Sequence, residues 1–236
     1  MCGIAGYITN KNVDKVSIGK VIELLGRRGP DANGYFEAVF DGRNHGLIHS
    51  RLSIIDLDVR ANQPYQFQNL ALTFNGEIYN YLEVKANLVK QGYQFETASD
   101  TEVLIKGWHA KGVKILDELE GMWAFALLNK NTGETILCRD RFGEKPLYVL
   151  QTEGGLFFGS EIKVLPVLSG KPLEKNMNQA CRYLVNTHKS LNKYNETFYT
   201  GVNEVKPGEF WTIKNGDCKA NKYWKPSFQP KPTTEK

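Results

Sequence analysis

The chain begins MCGIAGYITN, so a cysteine lies directly behind the initiator methionine. Chain termini normally fray, and Cys2 is either an apolar residue of a first β-strand, since free cysteine buries readily, or a reactive group. Removal of Met1 would leave a thiol and a free α-amine on one residue. Because an α-amine titrates at about 7.7–8.0, it can accept the thiol proton near neutral pH. Cys2 is therefore a candidate N-terminal nucleophile that carries its own base.

Attack of a thiolate on an amide also needs hydrogen-bond donors for the oxyanion that forms. The stretch TFNGEIYNY offers two donors, the side-chain amide of Asn75 and the backbone N–H of Gly76. Glycine also lets the backbone approach a ligand closely. The alternative interpretation of the same two residues is a strand that ends in an Asn-Gly hairpin turn.

Two charged residues are candidates for holding the ends of a substrate. Arg51 lies in the strand-like stretch HSRLSII. A buried guanidinium there needs an acidic partner, which is either a substrate carboxylate held bidentately or a protein carboxylate in an ordinary salt bridge. Asp100 follows Ser99 at the expected start of a helix. Its carboxylate either accepts a substrate ammonium group or compensates the helix dipole.

The elements that must position these residues are mainly short strands. Segments rich in β-branched and aromatic residues recur between Gly, Asn, Asp and Pro: CGIAGYIT, GYFEAVF, GLIHSRLSII, LALTFNG, MWAFALLN, ETILCRD, PLYVLQT and GLFFGS. Most of them follow one another without an intervening helix, which favours antiparallel pairing. Four segments have helical spacing, and SDTEVLIKGWHAKG among them opens on a capping box of Ser99 and Glu102. We expect an α+β fold with helices packed on antiparallel sheets.

The composition excludes several classes of protein. The 236 residues carry a formal charge of +4 that is spread along the chain, so a nucleic-acid partner is not expected. No apolar run reaches membrane-spanning length and the first residues lack the features of a signal peptide, so we expect a cytoplasmic protein without membrane contact. The four cysteines show no close spacing with one another or with histidine, so neither a disulfide nor a metal site is expected.

Eight segments together resemble one known family. MCGIAGY, RRGPDANG, HSRLSIIDL, FNGEIYNY, SDTEVLIKGW, LEGMWAFAL, RDRFGEKPLY and FGSEIKVL occur in the order and approximate spacing of the glutaminase domain of class II glutamine amidotransferases. The resemblance is greatest to glutamine-hydrolysing asparagine synthetases. It implies the N-terminal nucleophile hydrolase fold, a four-layer αββα sandwich of two antiparallel sheets flanked by helices.

The same resemblance implies roles for particular residues. Cys2 corresponds to the nucleophile, and Asn75 with Gly76 corresponds to the oxyanion hole. The substrate-binding positions are Arg51 for the carboxylate of glutamine, Glu77 and Asp100 for its amino end, and Ile54 with Ile55 in a strand segment that lines the site. Arg27 stands where the family usually has histidine, in a loop that is expected to cover the glutamine.

The resemblance also implies a division of the chain and a set of partners. Residues 2–210 are predicted to form the glutaminase domain, and residues 211–236 the end of that domain and a linker-like tail. The ATP-dependent synthetase domain that follows in the family is absent from the sequence. We expect no cofactor for the glutaminase domain itself, with ATP and Mg²⁺ required only by the synthetase domain or subunit that accepts the ammonia. A homodimer is a possible assembly.

The leading hypothesis is that the chain hydrolyses glutamine and supplies ammonia to an ATP-dependent amidation, with aspartate as the first choice of acceptor. One alternative is a stand-alone hydrolase of another γ-glutamyl amide, and a second is an amidotransferase that modifies a sugar or another carboxylate. A third, non-enzymatic alternative is a catalytically idle domain used in regulation or assembly. The set of Cys2, Arg51, Asn75 and Asp100 argues against the idle domain, because binding alone needs no terminal thiol.

Overall fold

The computed structural model describes residues 1–190 and 196–228. Its strands are β1 (Gly3–Thr9), β2 (Ala32–Phe40), β3 (Arg43–Arg51), β4 (Tyr65–Phe67), β5 (Leu70–Ile78), β6 (Gly121–Asn129), β7 (Thr135–Arg139), β8 (Tyr148–Thr152), β9 (Gly155–Gly159), β10 (Val202–Glu204), β11 (Glu209–Lys214) and β12 (Asp217–Lys222). Its α-helices are α1 (Lys15–Leu25), α2 (Tyr81–Lys90), α3 (Asp100–Lys111), α4 (Ile115–Glu118), α5 (Leu165–Ser169) and α6 (Met177–Asn186).

The strands form two sheets of six, and every pairing in them is antiparallel. The first sheet has the order β10-β8-β9-β1-β3-β2, and the second has the order β12-β11-β7-β6-β5-β4. An apolar cluster between the sheets joins side chains such as Ile4 and Leu47 of the first sheet to Leu137 of the second. The inner faces of the two sheets therefore pack on each other.

Helices cover the outer face of each sheet. On the first sheet, α1 and α5 contribute Val21 and Leu165 to one apolar cluster. On the second sheet, α2 and α3 contribute Leu88 and Leu104 to another. The predicted four-layer αββα sandwich is confirmed. No helix in the described ranges has both the length and the apolar character needed to cross a lipid bilayer.

The first strand lies in the interior of the first sheet. It is hydrogen-bonded to β3 on one side and to β9 on the other, and all seven of its residues are buried. Because both edges of β1 are paired, the beginning of the chain is held in place and does not fray. Cys2 immediately precedes this strand.

The prediction that a strand runs through Ile54 and Ile55 is wrong. β3 ends at Arg51, because the first residue of β2, Ala32, is the partner of Arg51, and β1 begins no earlier than Gly3. With no neighbouring strand to continue the ladder, the backbone leaves the sheet after Arg51. Ile54 and Ile55 therefore lie in a loop.

The second sheet continues into the segment predicted as the end of the domain. Residues 211–222 comprise most of β11, a two-residue turn and β12, and the two strands pair with each other and, through β11, with β7. The proline- and lysine-rich tail is described only as far as residue 228, and its remainder lies outside the described residues.

The helix that carries Asp100 begins as predicted but forms only half of the expected capping box. Ser99 is the N-cap of α3, and its hydroxyl accepts a hydrogen bond from the Glu102 N–H at 3.2 Å. The carboxylate of Glu102 does not return to Ser99. It accepts bonds from the N–H groups of Glu96 and Thr97, at 3.0 and 2.7 Å, and so ties the segment before α3 to its first turn.

A buried ion pair completes this arrangement. Lys106, one helical turn after Glu102, donates to its carboxylate at 2.5 Å, and the two side chains are 5% and 0% exposed. Burial raises the pKa of Glu102, but hydrogen bonds from Lys106, from Thr97 and from the backbone lower it by more, and the net pKa lies below its ordinary value. The pair therefore stabilises the start of α3 while Glu102 is ionised.

We expect Lys106→Met to lower the free energy of unfolding by about 3–5 kcal/mol at pH 7, because it leaves the Glu102 charge buried without its cation. The difference from wild type should narrow as the pH falls through the folded-state pKa of Glu102, where the charge disappears. Urea denaturation at several pH values measures both. Lys111→Met is the control, since its pair with Glu118 is partly exposed and should contribute at most about 1 kcal/mol. Equal losses in the two variants would contradict the expectation.

Candidate active site

One cleft is formed by the start of β1, the end of β3, the second half of β5 and the start of α3. It holds about 650 Å³ of space, part of it open to solvent, which is in the size range of small-molecule sites. The structure brings all eight predicted site residues to its wall: Cys2, Arg51, Ile54, Ile55, Asn75, Gly76, Glu77 and Asp100.

The two-residue repeat of β-strands explains why side chains from different sheets meet there. Asn75 and Glu77 lie two residues apart in β5, so their side chains share a face. Asn75 is opposite Ala124, which packs in the cluster between the sheets, so this face is the inner one. Cys2 is likewise two residues before Ile4, which packs in the same cluster. The thiol and the amide therefore point into one space from opposite sheets.

The Cys2 thiol is held by the backbone of the residue that follows β3. Leu52 N–H donates to Sγ at 3.4 Å, and Sγ lies 3.6 Å from Leu52 O. Arg28 Nε donates to the carbonyl of Cys2 at 2.9 Å and fixes the backbone there. Burial raises the pKa of the Cys2 thiol, against the lowering effects of the Leu52 bond and of the charges of the N-terminus and Arg51. The resting thiol is protonated and needs a base to become nucleophilic.

Arg51 is a buried cation whose partners are all neutral. Its side chain is 5% exposed, and Nη1 donates to Asp58 O at 3.1 Å and to Asn62 Oδ1 at 2.7 Å. Nη2 donates to Asp56 O. Among the described residues no carboxylate oxygen forms a salt bridge with this guanidinium. The loop after β3 thus orients a positive charge without neutralising it, which suits an anionic ligand.

Asn75 and Gly76 lie inside β5, paired with Ala124 and Trp123 of β6, so the alternative of a hairpin turn is wrong. Asn75 is 1% exposed, and its Nδ2 is buried without a hydrogen-bond partner. A Cβ on Gly76 would lie 2.3 Å from Met122 O. Strand packing therefore requires the glycine, whereas nothing in the strand explains why the amide of Asn75 is left unpaired.

The residue before Asn75 is fixed from both sides. Gln63 Oε1 accepts a bond from Phe74 N at 2.6 Å, and His49 Nε2 lies 3.2 Å from Phe74 O. Burial lowers the pKa of His49 to about 3, so its ring is neutral and donates from Nε2 to the carbonyl. These two contacts hold β5 at the position of the unpaired amide.

Two carboxylates lie across the cleft from the thiol. Asp100 is 5% exposed, and its Oδ2 accepts a hydrogen bond from Ile78 N at 3.1 Å. Burial raises the pKa of Asp100 to about 6, with a further contribution from the negative charge of Glu77. A cation between Asp100 and Glu77 would remove this repulsion, so the pair suits a substrate ammonium group.

Sequence reasoning missed several residues of the site. Arg28 and Lys145 occur in the segments RRGPDANG and RDRFGEKPLY, but no spacing indicated that both would lie beside the N-terminus. Gln63 and Met122 also line the cleft. Arg27 is exposed, and the described lining of the cleft includes none of residues 27–31. Within residues 1–190 and 196–228, no group of three or more His, Cys, Asp or Glu side chains could hold a metal ion.

The chain is similar to known proteins over nearly its whole length. A family model described as a glutamine amidotransferase domain matches residues 1–224. Glutamine-hydrolysing asparagine synthetase 1 of Bacillus subtilis is 34% identical over 245 residues, which cover 100% of this chain and 37% of that protein. Asparagine synthetase 2 of the same organism is 32% identical, with 95% of this chain and 30% of that protein covered.

A relative with a different name is similar to the same degree. Amidase chry2 of Gibberella zeae is 32% identical over 239 residues, which cover 95% of this chain and 34% of that protein. The chain thus spans about a third of the length of these curated relatives.

The fold is also found among solved structures. The glutamine phosphoribosylpyrophosphate amidotransferase of Bacillus subtilis, complexed with ADP and GMP, matches 94% of this chain and 49% of its own, with a TM-score of 0.68 at 23% identity. This likeness confirms the predicted N-terminal nucleophile hydrolase fold.

We expect Asp100→Asn to be more stable than wild type at pH 7.5, by about 2 kcal/mol. A carboxyl with a raised folded-state pKa favours the native state below its unfolded pKa, and this contribution is lost as the pH rises from about 4 to about 6. Asparagine keeps an oxygen for Ile78 N but never ionises.

Urea denaturation at pH 4 and 7.5 tests this expectation, with the exposed Asp217→Asn as the control. The free energies of unfolding of wild type and Asp100→Asn should differ little at pH 4. If Asp100→Asn is destabilised equally at both pH values, burial of the ionised Asp100 carboxylate does not lower the stability of the wild type.

Proposed function

The chain belongs to the class II glutamine amidotransferase family, and from that membership we propose that it hydrolyses glutamine to glutamate and ammonia, with Cys2 as the nucleophile. The observation that carries this proposal is the unpaired, buried Nδ2 of Asn75 in the cleft that holds the Cys2 thiol. A buried N–H without an acceptor costs stability, and it is useful where an acceptor forms only during the reaction.

The proposed first step needs the α-amine of Cys2, so Met1 must be removed. A retained Met1 would turn that amine into a non-basic amide nitrogen. In the mature chain the amine accepts the thiol proton, and the thiolate forms a C–S bond with the side-chain amide carbon of glutamine. The carbonyl oxygen becomes an oxyanion, which the amide of Asn75 and the N–H of Gly76 would stabilise.

Collapse of the tetrahedral intermediate breaks the C–N bond. The leaving nitrogen takes the proton held by the α-amine and departs as ammonia, which leaves a γ-glutamyl thioester on Cys2. Water then attacks the thioester and gives one proton to the amine. The second intermediate expels the Cys2 sulfur, which regains its proton, and glutamate is released.

The charged groups of the cleft match the remote end of glutamine. Arg51 would hold the α-carboxylate, since its guanidinium is already oriented by the loop after β3 and lacks an anionic partner among the described residues. Asp100 and Glu77 would hold the α-ammonium group. The backbone at Ile54 and Ile55 borders the same space. Binding would thus pair charges that the free protein leaves unpaired, and orient the side-chain amide toward the thiol.

The ammonia is proposed to serve an ATP-dependent amidation, with aspartate as the acceptor. Support comes from the names of two relatives, both glutamine-hydrolysing asparagine synthetases. This chain spans about a third of their length, and we assign the use of ATP and Mg²⁺ to a synthetase domain or subunit that accepts the ammonia. Glutamine-dependent formation of asparagine by the chain together with that partner is the direct assay.

The relative named an amidase favours a second candidate, hydrolysis of an amide without transfer of the ammonia. The two candidates differ in their response to the acceptor. Transfer predicts that aspartate and ATP increase the yield of asparagine per glutamine consumed when the partner is present, whereas a stand-alone amidase produces free ammonia at the same rate with or without them.

We expect Cys2→Ala to abolish release of glutamate from glutamine and to leave the fold intact, because alanine replaces the nucleophile by a small residue. Cys181→Ala is the matched control, since Cys181 is exposed on α6. A glutamate assay and circular dichroism measure activity and folding. The glutamine analogue 6-diazo-5-oxo-norleucine should add covalently at residue 2, as seen by mass spectrometry of a protein whose intact mass shows loss of Met1. Labelling of another cysteine, or normal turnover by Cys2→Ala, would refute the assignment.

Two further variants separate binding from chemistry. Arg51→Lys should chiefly raise KM for glutamine, because lysine keeps the charge but loses the bidentate fork. Asn75→Ala should chiefly lower kcat, by about 10²–10³-fold, because the oxyanion exists only after attack. Steady-state kinetics on folded variants distinguish the two effects.

The matched control is Asn129→Ala, which removes an amide side chain at the far end of the neighbouring strand β6, where it contacts Asn69 outside the cleft lining. Its kcat should stay within a few-fold of wild type. If Asn75→Ala raises KM and spares kcat, the amide is a binding contact and the oxyanion role is lost.

A further inference from the structure

Lys145 is a buried lysine in the wall of the cleft for which the mechanism above has no use. It is 5% exposed and lies in the turn between β7 and β8, on the wall that also carries Met1 and Cys2. Lysine is almost never fully buried unless it is paired. The surroundings of Lys145 therefore need an explanation.

The backbone of Lys145 is fixed by two buried charged side chains. Asp140, which is 0% exposed, accepts a hydrogen bond from Lys145 N at 3.0 Å. Arg139 Nε donates to Lys145 O at 2.8 Å, and its other nitrogens bind Glu204, Val205 and Gly143. Both backbone groups of Lys145 are thus held by residues whose own partners are satisfied. This turn has one defined shape, and it aims the lysine into the cleft.

The ammonium group itself has no anionic partner. Among the described residues, the one hydrogen-bond contact of Nζ is with the thioether sulfur of Met1, at 3.2 Å, and no carboxylate there forms a salt bridge with it. Covalent geometry from that sulfur keeps Nζ within about 10 Å of the Cys2 nitrogen. When Met1 is removed the sulfur leaves, and a partly desolvated cation faces the new α-amine.

We propose that Lys145 is a positioning residue that holds the α-amine of the mature N-terminal Cys2 in its neutral, proton-accepting form by electrostatic repulsion. The inference rests on the proposed function in one respect, which is that Met1 is removed and the amine acts as the base. A second positive charge close to the Lys145 ammonium is disfavoured in a partly buried site. The amine therefore releases its proton at a lower pH than an isolated chain terminus.

The other cations around the N-terminus have an anionic partner, or gain one when glutamine binds. Arg28 donates to Cys2 O and pairs at 3.5 Å with Glu161, which also pairs with Lys163 at 2.6 Å. In the proposed complex Arg51 meets the substrate carboxylate, and Asp100 with Glu77 meets the substrate ammonium group.

Of the cations near the amine, Lys145 alone then has no carboxylate within salt-bridge distance, either among the described residues or in the proposed substrate. Its effect persists in the enzyme–substrate complex, where the base is needed.

The test measures the amine directly and needs no catalysis. In the Cys2→Ala background, which keeps the α-amine and removes the thiol, trace acetic anhydride is applied across pH 5–9. Acetylation of the residue-2 amine is then quantified by mass spectrometry. Lys145→Met should raise the pH of half-maximal acetylation by about one unit or more. Lys145→Arg should leave it close to the parent value, because the charge remains.

Kinetics with Cys2 intact give the second readout. The acid limb of the kcat/KM profile should move to higher pH by the same amount in Lys145→Met, so activity on that limb falls by about tenfold per unit and recovers at high pH. Lys145→Arg should restore the profile. Lys130→Met, whose lysine contacts Gln66 on the surface, is the control for loss of a distant charge.

Each outcome of these experiments supports or overturns the proposed role of Lys145. An unchanged amine pKa in folded Lys145→Met overturns the proposal, as does an equal shift in Lys145→Met and Lys145→Arg, which would assign the effect to packing. If Lys145→Met does not fold, Lys145→Gln serves in its place. A shift of the amine pKa in a chain that fails to hydrolyse glutamine would support the electrostatic role and reject the proposed function.

Discussion

The proposed reaction places one constraint on the structure, which is that the residue bearing the free α-amine would be both the first residue of the mature chain and a rigid part of the site. Pairing on both edges of β1 meets this constraint. With β3 on one side and β9 on the other, the first strand is fixed in the interior of a sheet from Gly3 onward. Ile4 N–H adds a bond to Ser160 Oγ at 3.1 Å, and Arg28 holds the carbonyl of Cys2. The backbone at the start of the chain is thereby held by both neighbouring strands and by two side chains.

The cleft gathers strong groups without partners in one place, although single unpaired buried atoms such as Trp211 Nε1 also occur elsewhere. Other buried charges are neutralised, as in the pair of Glu102 and Lys106 or the contacts of Arg139, or are held by backbone N–H groups, as Asp140 is. In the cleft, Asn75 Nδ2 has no acceptor and Arg51 has no paired anion among the described residues. Each unpaired group lowers the stability of the free protein. The same groups are available to a ligand whose charges and acceptors complement them, and under the proposed function their cost in stability would serve binding and catalysis.

The sequence predicted the parts of this arrangement that local patterns encode. Strand segments, the start of α3 at Ser99 and the αββα class followed from residue types and from the resemblance to a family. The prediction of a strand through Ile54 and Ile55 was wrong because the end of β3 is set by where β1 and β2 begin, and no local sequence pattern contains that information. The same reason explains why Arg28 and Lys145 were missed as partners of Cys2 and of the N-terminus. Their contacts span sequence separations of 26 and 144 residues and exist only after the sheets form.

The distance between the proposed nucleophile and the proposed oxyanion donor is set by the packing of one sheet on the other. Cys2 belongs to the first sheet and Asn75 to the second, so no single strand or loop fixes their separation. Two hydrogen bonds cross between the sheets close to the cleft, from Thr73 Oγ1 to Ile48 O at 3.2 Å and from His49 to Phe74 O.

Small side chains permit these short contacts. Ala71, Ala124 and Ala126 all lie in the cluster between the sheets, and Ala124 is directly opposite Asn75. Packed sheets ordinarily lie about 10 Å apart, a gap that direct hydrogen bonds between their backbones and short side chains do not readily bridge. The small side chains of Ala124 and Ala126, opposite Asn75 and Thr73, leave room for these contacts at this end, so the core composition of β5 and β6 contributes to the geometry of the candidate site.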